Sequence, residues 1–105
     1  MKKNLDLVLR DLEGRDIIDS NHHSGGPVSL TAKAVIVNVL MNGWPAEQPQ
    51  PDGNEKAKRW TLAVTLHAGS GEQELTPEEI TTIKKLVGVS YGPAVVGPIY
   101  ELLNK

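Results

Sequence analysis

Leu75-Thr76-Pro77-Glu78-Glu79-Ile80-Thr81-Thr82-Ile83-Lys84-Lys85-Leu86-Val87-Gly88 is the stretch whose reading decides the fold. Threonine at the N-cap, proline at the first helical position and glutamate at N3 make a capping box, which satisfies helix-end amides before the helix exists. Ile80, Ile83 and Val87 then recur at helical spacing with Leu86 beside them. Lys84 and Lys85 fall in the last turn, where they complement the dipole, and Gly88 is the stop. A helix is predicted over 76–88, and its apolar stripe needs elements on which to pack.

Upstream, Glu55 to Ala68 reads as a second helix closed by Gly69 and Gly71. Ala57, Trp60, Ala63, Val64 and His67 lie on one stripe, with Leu62 and Leu66 adjacent. That spacing turns Trp60 inward and leaves Lys56, Lys58 and Arg59 facing water. Gly43 to Asn54 contains Pro45, Pro49 and Pro51, too dense for a helix or an interior strand, and is read as a loop. Leu30 to Met41 is rich in β-branched residues, which favour strands. Yet Leu30, Ala34, Val37 and Met41 keep helical spacing, with Ser29 or Thr31 as caps and Asn42-Gly43 as a stop, so a buried helix is predicted.

The chain opens differently. Leu5, Leu7 and Leu9 alternate with Asp6, Val8 and Arg10, the period of a half-buried strand. With Glu13-Gly14 as the turn and Asp16-Ile17-Ile18 as the return, this predicts a hairpin with strands near 3–11 and 15–18. Asn21 to Pro27 is a loop by composition, and Glu72 to Leu75 a short extended segment. Beyond Gly88, Tyr91-Gly92-Pro93 makes a turn. Val96, Ile99, Tyr100 and Leu103 then mark a last helix, either kinked at Pro98 or starting near it. The expected fold class is therefore α+β: an N-terminal β-hairpin packed against three to four short α-helices, in one domain covering 1–105.

Composition narrows the function classes. The 105 residues carry 11 Lys and Arg against 13 Asp and Glu, a formal charge of −2, which disfavours a basic nucleic-acid binder. There is no cysteine, so disulfides, thiolate metal sites and a cysteine nucleophile are excluded. Phenylalanine is also absent, and Trp44, Trp60, Tyr91 and Tyr100 each carry a polar atom, which places them at the margin of an aliphatic core. The acidic residues within the first eleven interrupt any signal-peptide pattern. The longest apolar run, 34–37 and 39–41, falls far short of the ~20 residues that span a membrane. The expected location is cytoplasmic.

No catalytic constellation emerges. His22-His23, with Asp16 and Asp19 upstream, has metal-ligand residue types, but adjacent imidazoles on a loop point apart and zinc wants three or four convergent ligands. Asp6, Asp11, Glu13, Asp16 and Asp19 make the hairpin acidic, which suits a guarded sheet edge better than an acid–base pair held in a cleft. Gly25-Gly26-Pro27 lacks the continuation of a phosphate loop. No metal, cofactor or enzymatic activity is expected. Two surfaces remain. Trp44, in the proline loop, either folds back as a lid on the core, the favoured reading, or is presented to a partner; since tryptophan is enriched at interface hot spots, Trp44 and Pro45 are the candidate partner-binding residues. Lys56, Lys58 and Arg59 are the candidate contacts of an alternative nucleic-acid-binding role.

The series LVLRDLEGRDI (7–17), KAKRWTLAVTLH (56–67), LTPEEITTIKKLVG (75–88) and YGPAVVGPIYELL (91–103) resembles small proteins encoded in tailed-phage and prophage genomes. The resemblance covers most of the chain and rests on pattern. Glu13 stands where aspartate is commoner in the turn, and the proline loop at 45–51 and Pro98 depart from it. The resemblance implies an α+β fold and a phage or prophage origin, hence residence in a bacterial host, and it assigns no functional residue. The expected function is a non-enzymatic protein-interaction role, as an assembly factor or host modulator, with a small regulatory nucleic-acid-binding protein as the alternative.

Overall fold

Thr76 starts its helix as the capping box requires. Its Oγ1 accepts from the Glu79 amide at 3.1 Å, and its own amide donates to Glu79 Oε1 at 2.8 Å. The computed structural model describes residues 2–18 and 29–104. In chain order the elements are β1 (Lys2–Asn4), α1 (Ala32–Asn42), a 3-10 turn (Trp44–Ala46), α2 (Gly53–Ala68), β2 (Glu72–Glu74), α3 (Pro77–Ser90) and α4 (Pro93–Asn104). The fold is α+β, as the patterning predicts.

The ambiguous segment is the central helix. Thr31 caps α1 by accepting from the Ala34 amide at 3.1 Å, and Ala32, Val35, Ile36, Val39 and Leu40 are buried. α1 packs against both α2 and α3, while α4 packs on α3. Burial on two sides explains how β-branched residues are tolerated there: packing energy outweighs a propensity difference of under about 1 kcal/mol per residue. Ile83, Leu86 and Val87 of α3, Ile99 and Leu103 of α4, and Leu5, Leu9 and Leu75 from extended segments complete the aliphatic core.

The opening segment contains the hairpin in short form. Arg10 bridges Asp16, the Asp11 amide donates to Arg15 O at 2.8 Å, and Gly14 takes the turn at φ +84°. Leu9, Leu30 and Ile17 close a backbone ring: the Leu9 amide donates to Leu30 O at 2.8 Å, the Leu30 amide to Ile17 O at 2.6 Å and the Ile17 amide to Leu9 O at 3.0 Å. The strand expected over 3–11 is not continuous, however. A turn at Leu5 and Asp6, with the Asp6 amide on Asn4 Oδ1, shifts the alternation. Leu5 and Leu9 are buried while Leu7 is exposed. Lys2–Asn4 pairs antiparallel with Glu72–Glu74, Lys3 opposite Gln73, a long-range contact between charged segments that carry no periodic signal.

Two boundaries move. α3 runs past Gly88 to Ser90, and that glycine serves as a point of close approach rather than a stop: a Cβ there would lie 2.8 Å from the Tyr100 hydroxyl. That hydroxyl donates to Lys84 O at 2.7 Å and pins α4 to α3. α4 begins at Pro93 and runs through Pro98, which withholds one amide from the helix ladder while Ile99 and Leu103 bury the same face.

Candidate protein-interaction surface

Asp52 sets the start of α2, its Oδ1 accepting from the Glu55 amide at 2.8 Å. From there the helix lies in a different rotation from the one its apolar spacing predicts. The buried residues are Arg59, Ala63 and Leu66, with Leu62 packed against the core. Trp60, expected to turn inward, is 57% exposed, and Val64 is 47% exposed.

Arg59 causes the rotation. Its Nη1 donates to Glu47 Oε2 at 2.6 Å, its Nη2 to Glu47 Oε1 at 3.0 Å, and its Nε to Glu55 Oε2 at 3.1 Å. Side-chain exposure is 8% for Arg59 and 2% for Glu47. Lys85 Nζ stands 3.7 Å from Glu47 Oε1 on the α3 side. The hydrogen bonds from Arg59 hold the Glu47 carboxyl below the usual glutamate range, against the opposing effect of burial. A planar guanidinium meeting a carboxylate in two parallel bonds fixes orientation as well as distance. The loop is thereby fastened to α2, and the opposite flank of the helix faces water.

That flank is apolar. Ala57, Trp60 and Val64 follow one another at helical spacing, all exposed. Lys56 stands one turn before Trp60, and its ammonium lies 4.1 Å from the centroid of the Trp44 ring. Trp44 is thus half-buried under a cation, folded back onto α2, while Pro45 beside it is exposed. Lys56 thus links the Trp44 ring of the loop to the flank of α2 that carries Trp60.

Of the candidate nucleic-acid contacts, Arg59 is consumed in the buried pair and Lys56 covers Trp44, so only Lys58 points into solvent uncommitted among the described residues. The expected row of three solvent-facing cations is therefore corrected to two, Lys56 and Lys58, because a neutralised, buried guanidinium cannot reach a phosphate.

The acidic hairpin is internally paired. Arg10 meets Asp16 at 3.1 Å, Arg15 meets Asp11 and Glu13, and Ser29 Oγ donates to Asp16 Oδ2 at 2.7 Å. The Ser29 bond, then Arg10, hold Asp16 below the ordinary aspartate range. Asp6 accepts from the Gly71 amide at 2.6 Å. His22, His23 and Asp19 lie outside the described residues. Among the described residues no group of three or more histidine, aspartate or glutamate side chains is placed to hold a metal ion. No described helix is long and apolar enough to cross a membrane.

A groove runs along another face of α2. α2 and α3 both rest on α1, and between them lies an open groove of about 920 Å³. Leu40 and Leu62 contribute apolar surface to it, Thr61 and Thr65 line the α2 side, and Glu78 and Glu79 stand on the α3 side. Neither Trp60's exposure nor this groove was predicted from the sequence: the first depends on a partner for Arg59 twelve residues upstream, the second on how two helices share a third.

No protein-family model matches the chain, and no curated protein or solved structure matches it significantly.

Proposed function

We propose that this chain is a non-enzymatic protein-interaction module, an assembly factor or host modulator, that binds its partner through the Trp60 flank of α2. The observation that carries the proposal is Trp60 itself: a large aromatic held 57% in water on an ordered helix, in line with Val64 at 47%. Exposing such area disfavours the free chain, whereas covering it with a partner yields about 25 cal/mol per Å² of apolar surface. Lys56, one turn before Trp60, joins this flank to the Trp44 ring of the loop. A phage or prophage setting, and with it the cytoplasm of a bacterial host, rests on the sequence resemblance alone. The absence of a metal or cofactor role and of catalysis is part of the same proposal, motivated by the pairing of the hairpin carboxylates and of Glu47 with basic side chains.

The test is site-specific photo-crosslinking in the native cell, with a benzophenone amino acid at position 60 and, as control, at exposed Thr81 on α3. The proposal expects one discrete adduct from position 60 and none from position 81. The same adduct pattern from both positions, or none from position 60, overturns it.

A further inference from the structure

We propose that the groove between α2 and α3 is a second docking site, one that takes a partner segment carrying arginine or lysine among apolar residues. The inference rests on the interaction reading above but concerns the neighbouring face of α2; the two surfaces meet at Ala57, and Glu78 and Trp60 each belong to one of them alone.

The chemistry of the lining selects this occupant. Leu40 and Leu62 supply hydrocarbon surface. Thr61 Oγ1 donates to Ala57 O at 3.2 Å and Thr65 Oγ1 to Thr61 O at 3.0 Å, so both hydroxyl protons are used within the helix. What these hydroxyls offer the groove is lone pairs. Carboxylates add further acceptors. Four glutamates line the groove, Glu55, Glu74, Glu78 and Glu79, against two cations, Lys58 and Arg59, and Glu74 is already engaged elsewhere. Arg59 is bound to Glu47 and Glu55, and Glu79 spends one oxygen on the Thr76 amide. Glu78 has no ion-pair partner among the described residues.

The groove is thus apolar at its floor and acceptor-rich and acidic at its rim. Arginine and lysine match that combination within one side chain, since a hydrocarbon stem ends in a donor-only cationic head. A segment alternating such residues with leucine, isoleucine or methionine would bury its apolar groups on Leu40 and Leu62 and set its cations against the glutamates. This is the groove-binding mode in which apolar anchors give affinity and rim charges give specificity and rate.

The experiment pans a displayed library of random 16-residue peptides on the whole chain, then measures the enriched peptides against wild type, Glu78→Lys and Trp60→Ala. The proposal expects winners enriched in arginine or lysine interleaved with aliphatic residues. Their affinity should fall roughly tenfold for Glu78→Lys, weaken with salt and be unchanged for Trp60→Ala. A charge-swapped peptide, lysine to glutamate, should recover binding to Glu78→Lys, which separates lost contact from lost folding. Acidic or uncharged winners overturn the proposal, as do winners indifferent to Glu78→Lys. Winners lost only with Trp60→Ala overturn the groove while supporting the α2 flank. Self-association of the chain that Glu78→Lys abolishes would assign the groove to a second copy and overturn it too.

Discussion

Arg59 of α2 and Glu47 of the proline loop form a bidentate ion pair, with bonds of 2.6 and 3.0 Å and 8% and 2% of their side chains exposed. The pair does two things at once. It closes the loop onto the helix, and it sets the helix rotation that leaves Trp60 outside.

Breaking one side of the pair should therefore be far more harmful than replacing both. Glu47→Ala leaves a buried guanidinium with Glu55 alone, and a loss of about 3–5 kcal/mol is expected. The double variant Glu47→Leu/Arg59→Met should recover a large part of that loss, since apolar replacements of similar volume need no compensating charge. Urea unfolding of the three variants checks both the size of the loss and the coupling.

The pH dependence follows from the same pair. Arg59 lowers the Glu47 carboxyl in the folded state, and Ser29 and Arg10 lower that of Asp16. Each group is then charged in the folded chain at pH values where the unfolded chain has begun to bind a proton. Their stabilisation is complete above the ordinary carboxyl values of about 4 and is lost as pH falls through the lower folded values. Stability should decline as pH falls below about 4. Glu47→Gln should be less stable at neutral pH and show a shallower acid decline, as read from thermal unfolding at a series of pH values. An equally steep decline in Glu47→Gln would remove the pair as its source.

Gly88 and Tyr100 give a steric prediction. A methyl group at position 88 would sit 2.8 Å from the Tyr100 hydroxyl, which holds α4 to Lys84 O. Gly88→Ala is expected to destabilise by about 1–3 kcal/mol despite alanine's better helix propensity. Adding Tyr100→Phe, which deletes the clashing oxygen, should make the alanine substitution close to neutral in that background. A double-mutant cycle by chemical denaturation measures this.

How much of this was legible in the sequence depends on how local the cause is. Thr76 and Glu79 satisfy each other's backbone within one turn, so α3 could be read from four residues. The central helix at 32–42 was legible through its spacing and caps, although its β-branched residues pull toward a strand. Extended structure was legible near residue 3 and at 72–75, but the pairing of β1 with β2 was not, because Lys2–Asn4 finds its partner near residue 73, far along the chain. The rotation of α2 was hidden for a related reason. Trp60 and Val64 make as good an apolar line as Ala63 and Leu66, and the choice between them falls to Arg59, whose burial requires a glutamate in the loop. The candidate site inherits that difficulty: Trp44 attracted notice as a tryptophan among prolines, whereas Trp60 became visible only once Arg59 was seen to face inward.

The rotation of α2 is the central claim, since both proposed surfaces exist only if Arg59 faces in and Trp60 faces out. Quenching by neutral acrylamide of the single-tryptophan variants Trp44→Phe and Trp60→Phe tests it most directly. Trp60, read in Trp44→Phe, should emit as a solvent-exposed indole and be strongly quenched, and Trp44, read in Trp60→Phe, should be quenched distinctly less beneath Lys56. A blue-shifted Trp60 as well protected as Trp44 in the dilute free chain would contradict the account.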